Sequence, residues 1–139
     1  MKKILCTLSL LALLVGFVKA QSGPVMTLEK TEIDYGNIAQ NSDGVRLFKF
    51  KNTGTEPLII KNAQGTCGCT VPKWPDQPIK PGQTASIEVK YATDRLGNFT
   101  KTITVETNEK MGKHVLTIKG NVFDKKFETN VSQSSGNKR

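Results

Sequence analysis

Apolar and polar residues alternate in short runs through the middle of the chain, with no long stretch at helical spacing. In GVRLFKFKNTG, Phe48 and Phe50 fall on one side with Lys49 and Lys51 opposite, and an Asn-Thr-Gly turn closes the run. QTASIEVKYATD turns Ala85, Ile87, Val89 and Tyr91 inward and Ser86, Glu88 and Lys90 outward. GNFTKTITVETNEKMGKHVLTIKGNVF reads as two strands around a loop near Asn108 to Gly112. Phe99, Ile103 and Val105 share one face of the first, which Lys101 interrupts, and Leu116, Ile118 and Val122 share a face of the second. PVMTLEKTEIDYGNIAQ supplies one extended segment, with Ile33 and Tyr35 on one face and Gly36 as its end. EPLIIKNAQG adds a short strand that bends at Gly65. About seven short strands cut by Gly, Pro and Asn predict an all-β fold, an immunoglobulin-like antiparallel β-sandwich. A small closed barrel is the competitor that strand counting leaves standing. The Cys…Trp…Cys spacing of antibody domains is missing, which excludes their disulfide between sheets.

The first 20 residues change the picture. Lys2 and Lys3 precede an apolar run from Ile4 to Val18, and Val18-Lys19-Ala20 puts small residues where a signal peptidase reads. The run is about 15 residues, short of the roughly 20 a spanning helix needs. Residues 1–20 are therefore expected to be a signal peptide, 21–127 one β-sandwich domain and 128–139 a disordered polar tail, with no membrane span after cleavage. The short Met-Lys-Lys opening points to a bacterial protein sent to the periplasm or cell surface. In that setting the acceptor patterns at Asn98 and Asn130 are chance matches. Three of the 20 basic residues leave with the leader and all 12 acidic ones stay, so the exported chain keeps 17 basic against 12 acidic side chains. Such a balance fits anionic cell-surface material or simply solvated strand faces. No RNP-like motif, zinc-finger spacing or basic helix points to nucleic acid.

Chemistry concentrates in GTCGCTVPKWPDQPIKPG. Loss of Cys6 with the leader leaves Cys67 and Cys69, at i and i+2. In an extended strand their Cα atoms would stand about 6.5 Å apart with Cβ atoms too distant to bridge. An intramolecular disulfide thus needs a bend at Gly68, which glycine permits through positive φ. Three readings stay open: a redox pair, a soft-metal clamp for Cu(I) drawing on Met26, Met111 or His114, and a structural element where the strand breaks. Pro72, Pro75, Pro78 and Pro81 recur at the three-residue period of polyproline II, so the segment should cross one end or face of the sandwich. Pro81-Gly82 then suits a type II turn. Trp74 either caps the core edge or contacts a partner. His114 reads as a half-exposed strand residue. No serine, histidine and acid constellation and no paired carboxylates stand out, so no enzyme and no cofactor are expected.

IDYGNI, FKFKNTGTEPLIIKNAQGTCGCTVPKWPDQPIKPGQTASIEVKYAT and GNFTKTITVETNE together resemble the exported bacterial domain-of-unknown-function family 1573. That family is similar to the immunoglobulin-like domains of Hydin and ASH proteins and to major sperm protein. The resemblance covers about residues 28–122, and Cys67 and Cys69 occupy the family's Cys-Gly-Cys positions. It implies an immunoglobulin-like sandwich and export, and it implies no chemistry. The leading expectation is a non-enzymatic binding or assembly module for a protein or cell-surface polymer, with the Cys67–Trp74 end as its contact surface. The alternative is a periplasmic thiol-redox or Cu(I)-binding protein that uses Cys67 and Cys69.

Overall fold

The computed structural model describes residues 22–126, and the expectations for the leader and the polar tail fall outside them. Eight strands form among the described residues: β1 (Met26–Leu28), β2 (Glu32–Ala39), β3 (Val45–Asn52), β4 (Ile60–Gly65), β5 (Thr70–Lys73), β6 (Thr84–Tyr91), β7 (Gly97–Thr107) and β8 (Lys113–Phe123). They make two four-stranded sheets, ordered β1-β3-β6-β5 and β2-β8-β7-β4. This is an immunoglobulin-like sandwich, with edge strands left on both sheets, and the barrel is set aside. Among the described residues no helix is long and apolar enough to cross a membrane.

The alternation expected from sequence is what faces the sheets together. Phe48, Phe50, Ile87 and Val89 of the first sheet meet Ile103, Val105, Leu116 and Ile118 of the second, and each is at most 1% exposed. Burial of side chains this size stabilises by about 1.5–3 kcal/mol each before entropy is subtracted. At one end of this core Tyr91 stacks on Phe99 at 3.8 Å between ring centroids, and Tyr35 meets Phe99 edge-on at 5.4 Å. The Arg46 guanidinium lies 4.3 Å over the Tyr35 ring. Burial pushes the Tyr35 hydroxyl up to about 12, against the pull of Arg46, and that hydroxyl donates to the Gly44 carbonyl at 2.9 Å.

Three expectations need correction. The segment from Pro24 to Gln40 is not one strand: β1 pairs with β3 in the first sheet, and β2 crosses to the second and pairs with β8. The break falls at the exposed Glu29-Lys30-Thr31 stretch. The β2–β8 ladder is parallel, so the second sheet is mixed rather than wholly antiparallel. Gly36 does not end the strand. It sits at φ +63° in a register shift between Asp34 and Asn37, the bulge position that a side chain rarely tolerates.

The proline segment is also placed differently. The chain passes from the second sheet to the first before the prolines, between Gly65 of β4 and Thr70 of β5. Pro72 then lies within β5 opposite Val89. β5 is an edge strand, where a missing N–H is tolerated. The remaining prolines belong to the connection from β5 to its neighbour β6, not to a crossing. Gly82, at φ +79°, follows Pro81 in a turn closed by the Gln83 N–H donating to the Lys80 carbonyl at 3.0 Å, as the Pro-Gly pair foretold.

Candidate functional site

The two cysteines singled out by chemistry lie at the corner where the chain changes sheets. Cys67 and Cys69 are joined by a disulfide with Cα atoms 5.3 Å apart. The bend that brings them together is a turn in which the Thr70 N–H donates to the Cys67 carbonyl at 3.2 Å. Flanking bonds fix it from both sheets: Thr66 N–H to the Thr102 carbonyl at 3.0 Å and Ala92 N–H to the Cys69 carbonyl at 2.9 Å. The bend was expected, but its mechanism was not. Gly68 has no positive φ, and a Cβ built on it would meet nothing within 4 Å.

The two sulfurs live in different surroundings. Cys69 is 6% exposed and belongs to the core, whereas Cys67 is half-buried and packs against it from outside. Thr70, itself 3% exposed, places Oγ1 3.8 Å from each sulfur. Those sulfurs are the partners of its hydroxyl among the described residues. The bridge adds little to folding. In the chain-entropy account a three-residue ring contributes about 1.6 kcal/mol, roughly half the value for a 15-residue loop. Bonded sulfurs also offer no thiolate to a soft metal, so Cu(I) chemistry would require the reduced pair.

Trp74 is not beside the cysteines. β5 separates them, and its four residues span about 13 Å. The Trp74 ring is half-buried and packs against the core. The expected Cys67–Trp74 end therefore divides into a corner and the far end of an edge strand. Met26, Met111 and His114 stand at the opposite end of the sandwich, with the β7–β8 loop, and are not gathered around the sulfurs. Among the described residues no group of three or more His, Cys, Asp or Glu side chains could hold a metal ion.

One polar cluster was missed by sequence reasoning. In the β7–β8 loop, Glu109 accepts from the Met26 N–H at 2.9 Å, from the Thr107 hydroxyl at 2.7 Å and from His114 Nε2 at 2.6 Å. Its side chain is 13% exposed. The carboxylate thus ties the hairpin of one sheet to the first residue of β1 in the other. Burial alone would raise its pKa, but the bonds from His114, Met26 and Thr107 outweigh that and hold it below the ordinary glutamate range. A depressed carboxylate contributes stability above its unfolded pKa and loses it as pH falls through the lower folded value. Urea titrations should show stability falling below about pH 4.5, and Glu109→Gln should flatten that acid limb. An unchanged acid limb would remove Glu109 from the account.

Similarity to known proteins agrees with this architecture. No curated protein matches the sequence. A protein of unknown function from Porphyromonas gingivalis W83 superposes with a TM-score of 0.63 at 17% identity, over 73% of this chain and 48% of that one. This chain therefore spans about half the length of that relative. The ASH/PapD-like domain 7 of human CEP192 follows at 0.58 and 10% identity, covering 71% of this chain and 85% of that domain. The CupB2 chaperone of Pseudomonas aeruginosa gives 0.51 at 9% identity, over 79% and 61% respectively. At these identities the likeness is one of fold. The sequence itself matches the family described as "Protein of unknown function (DUF1573)" over residues 26–122, and the chain belongs to that family.

Proposed function

We propose that the protein is an exported, non-catalytic immunoglobulin-like module that docks on another protein through the outer face of its first sheet, beside the Cys67–Cys69 corner. The observation that carries this reading is a pair of apolar side chains on that face. Leu47 of β3 is 49% exposed and Val71 of β5 is 51% exposed. β6 lies between them, presenting Glu88 opposite Leu47 and Lys90 opposite Val71. Two strand spacings and a two-residue offset along β6 put the apolar pair about 12 Å apart, a separation that one partner surface can cover. Charged rims around apolar contacts are usual at protein interfaces. The chaperone of like fold, a class that acts on proteins, supports the choice of a protein partner. Trp74 then serves to anchor the end of β5 rather than to touch the partner.

The test is a photo-crosslinking residue at position 71 in cells making the full chain. A discrete adduct with one other protein is expected, and Leu47→Asp should reduce it about tenfold, since losing one apolar contact at the middle of an interface costs on the order of 1–2 kcal/mol. Exposed positions of this kind change folding stability by only about 0.5 kcal/mol. No adduct, or one indifferent to Leu47→Asp, would overturn the reading. A second reading, contact with an anionic surface polymer, rests on Lys61, Lys110 and Lys113 around an open depression of about 490 Å³ at the β7–β8 hairpin, where Glu106 pairs with Lys113. Salt-sensitive binding lost in Lys61→Glu/Lys110→Glu with the crosslink intact would favour it.

A further inference from the structure

The geometry points to a second activity at the corner: we infer that the Cys67–Cys69 disulfide is an exchange site for an external dithiol, with Cys67 as the attacked sulfur, Cys69 as the leaving sulfur and Thr70 as the donor that receives the leaving thiolate. Three observations converge. The sulfurs differ in access, since Cys67 is only part-buried, packed on the core from its edge, and Cys69 is 6% exposed within it. The Thr70 hydroxyl, nearly fully buried, is aimed at both sulfurs at 3.8 Å. Space over the turn is open, because apart from the two cysteines nothing stands within 4 Å of where a side chain on Gly68 would begin. The hydrogen bonds of Thr66, Thr70 and Ala92 hold the turn without the bridge, so the disulfide can open while the corner persists.

The exchange balances as follows. One thiolate of the dithiol attacks Cys67 Sγ, forming a mixed disulfide; the Cys67–Cys69 bond breaks and its electron pair leaves on Cys69 Sγ. The Thr70 O–H, which in the bridged form points at the sulfurs, donates to that thiolate and lowers its basicity, and a less basic thiolate leaves faster. The second thiolate of the dithiol then attacks its partner sulfur in the mixed disulfide and releases Cys67. Two electrons pass to the pair, the dithiol becomes a disulfide, and the two protons it gave up return to Cys67 and Cys69. This inference is independent of the docking reading, which concerns the outer face of the sheet.

Two measurements on the purified full-length protein test it. A brief exposure to reduced glutathione, followed by alkylation and fragment mass spectrometry, should place glutathione on Cys67 at least about tenfold more often than on Cys69. Reduction by dithiothreitol should slow about tenfold in Thr70→Val and recover in Thr70→Ser, the effect of removing one hydrogen bond to a charged sulfur. Equal adducts on the two cysteines, a preference for Cys69, or a Thr70→Val rate equal to that of the parent would overturn the assignment. So would reduction that proceeds only as fast as global unfolding. If Thr70→Val does not fold, the position of the glutathione adduct on the unaltered protein decides the question.

Discussion

Replacing Asn52 with alanine is expected to lower the free energy of unfolding by about 4 kcal/mol, a large share of the roughly 5–15 kcal/mol that holds a domain together. Asn52 is fully buried at the end of β3, and its amide saturates both of its ends. Nδ2 donates to the carbonyls of Glu56 and Ile79, each at 2.8 Å. Oδ1 accepts from the N–H groups of Gly54 at 3.0 Å and Val25 at 3.3 Å. One side chain thus joins the segment before β1, the β3–β4 loop and the β5–β6 loop. Alanine leaves the N–H groups of Gly54 and Val25 and the Glu56 carbonyl without that partner, while the Ile79 carbonyl keeps the Leu58 N–H at 2.9 Å, and an unsatisfied buried polar group costs about 1–3 kcal/mol. Asn52→Asp separates this account from a simple cavity. It keeps the volume but turns an acceptor toward the two carbonyl oxygens, so it should destabilise at least as much as alanine. Urea denaturation of both variants checks the point: a loss under about 1 kcal/mol for either would show that the loops are held by something else.

Asn52 also marks how far the sequence could be read. In β3 the inward positions run Phe48, Phe50, Asn52, so an amide stands where the period calls for a third apolar side chain. That was a usable signal, because a polar residue in a core phase must find partners. What the pattern could not supply is which loops provide them, since Val25 and Ile79 each lie 27 residues away. The same limit explains the other corrections. Faces were legible in β3, β6, β7 and β8, where one side is buried and a two-residue period follows directly. The division of the first segment was not, because the short polar link Glu29-Lys30-Thr31 carries no glycine or proline to mark a change of sheet, and which distant strands β1 and β2 pair with, β3 and β8, is a tertiary fact. Gly36 resembled a strand end because a bulge and a stop use glycine for the same backbone freedom.

At the candidate site, proximity of the sulfurs was legible and their inequality was not. Spacing at i and i+2 requires a bend if the two are to bond, and the bend is there. Burial of Cys69 and the half-buried place of Cys67 depend on which sheet each end of the turn enters, a tertiary fact. The prolines misled for a related reason. Their period fits polyproline II, but Pro72 sits on a strand whose outer edge is unpaired, so pairing with β6 on the other side prevailed. Glu109 and His114 were read singly because only the hairpin between β7 and β8 folds them onto each other.

Glycine-to-alanine changes at two turns should give opposite results, and the larger is Gly44→Ala. Gly44 leads into β3 with its α-carbon pressed against the end of β6: a methyl there would fall inside the van der Waals surface of the Tyr91 carbonyl oxygen and 3.0 Å from Thr93 Cγ2. Relief requires the turn to move away from β6. That movement would strain the bond from the Tyr91 N–H to the Gly44 carbonyl at 3.0 Å, the Tyr35 hydroxyl bond to the same carbonyl, and the link from Thr93 Oγ1 to the Ser42 carbonyl at 2.6 Å. Overpacking against backbone of this kind costs about 3 kcal/mol, which lowers the melting temperature of a domain near 100 residues by roughly 12–20 °C. Gly68→Ala should leave stability unchanged or raise it by about 0.5 kcal/mol, because the site is open, its φ is not positive, and alanine restricts the unfolded chain. Thermal melts of the two variants decide the matter. A large loss at Gly68 would mean that the fold needs glycine in the Cys-Gly-Cys turn. Tolerance there beside a collapse at Gly44 would leave access to the sulfurs, rather than folding, as the reason for an open turn between them.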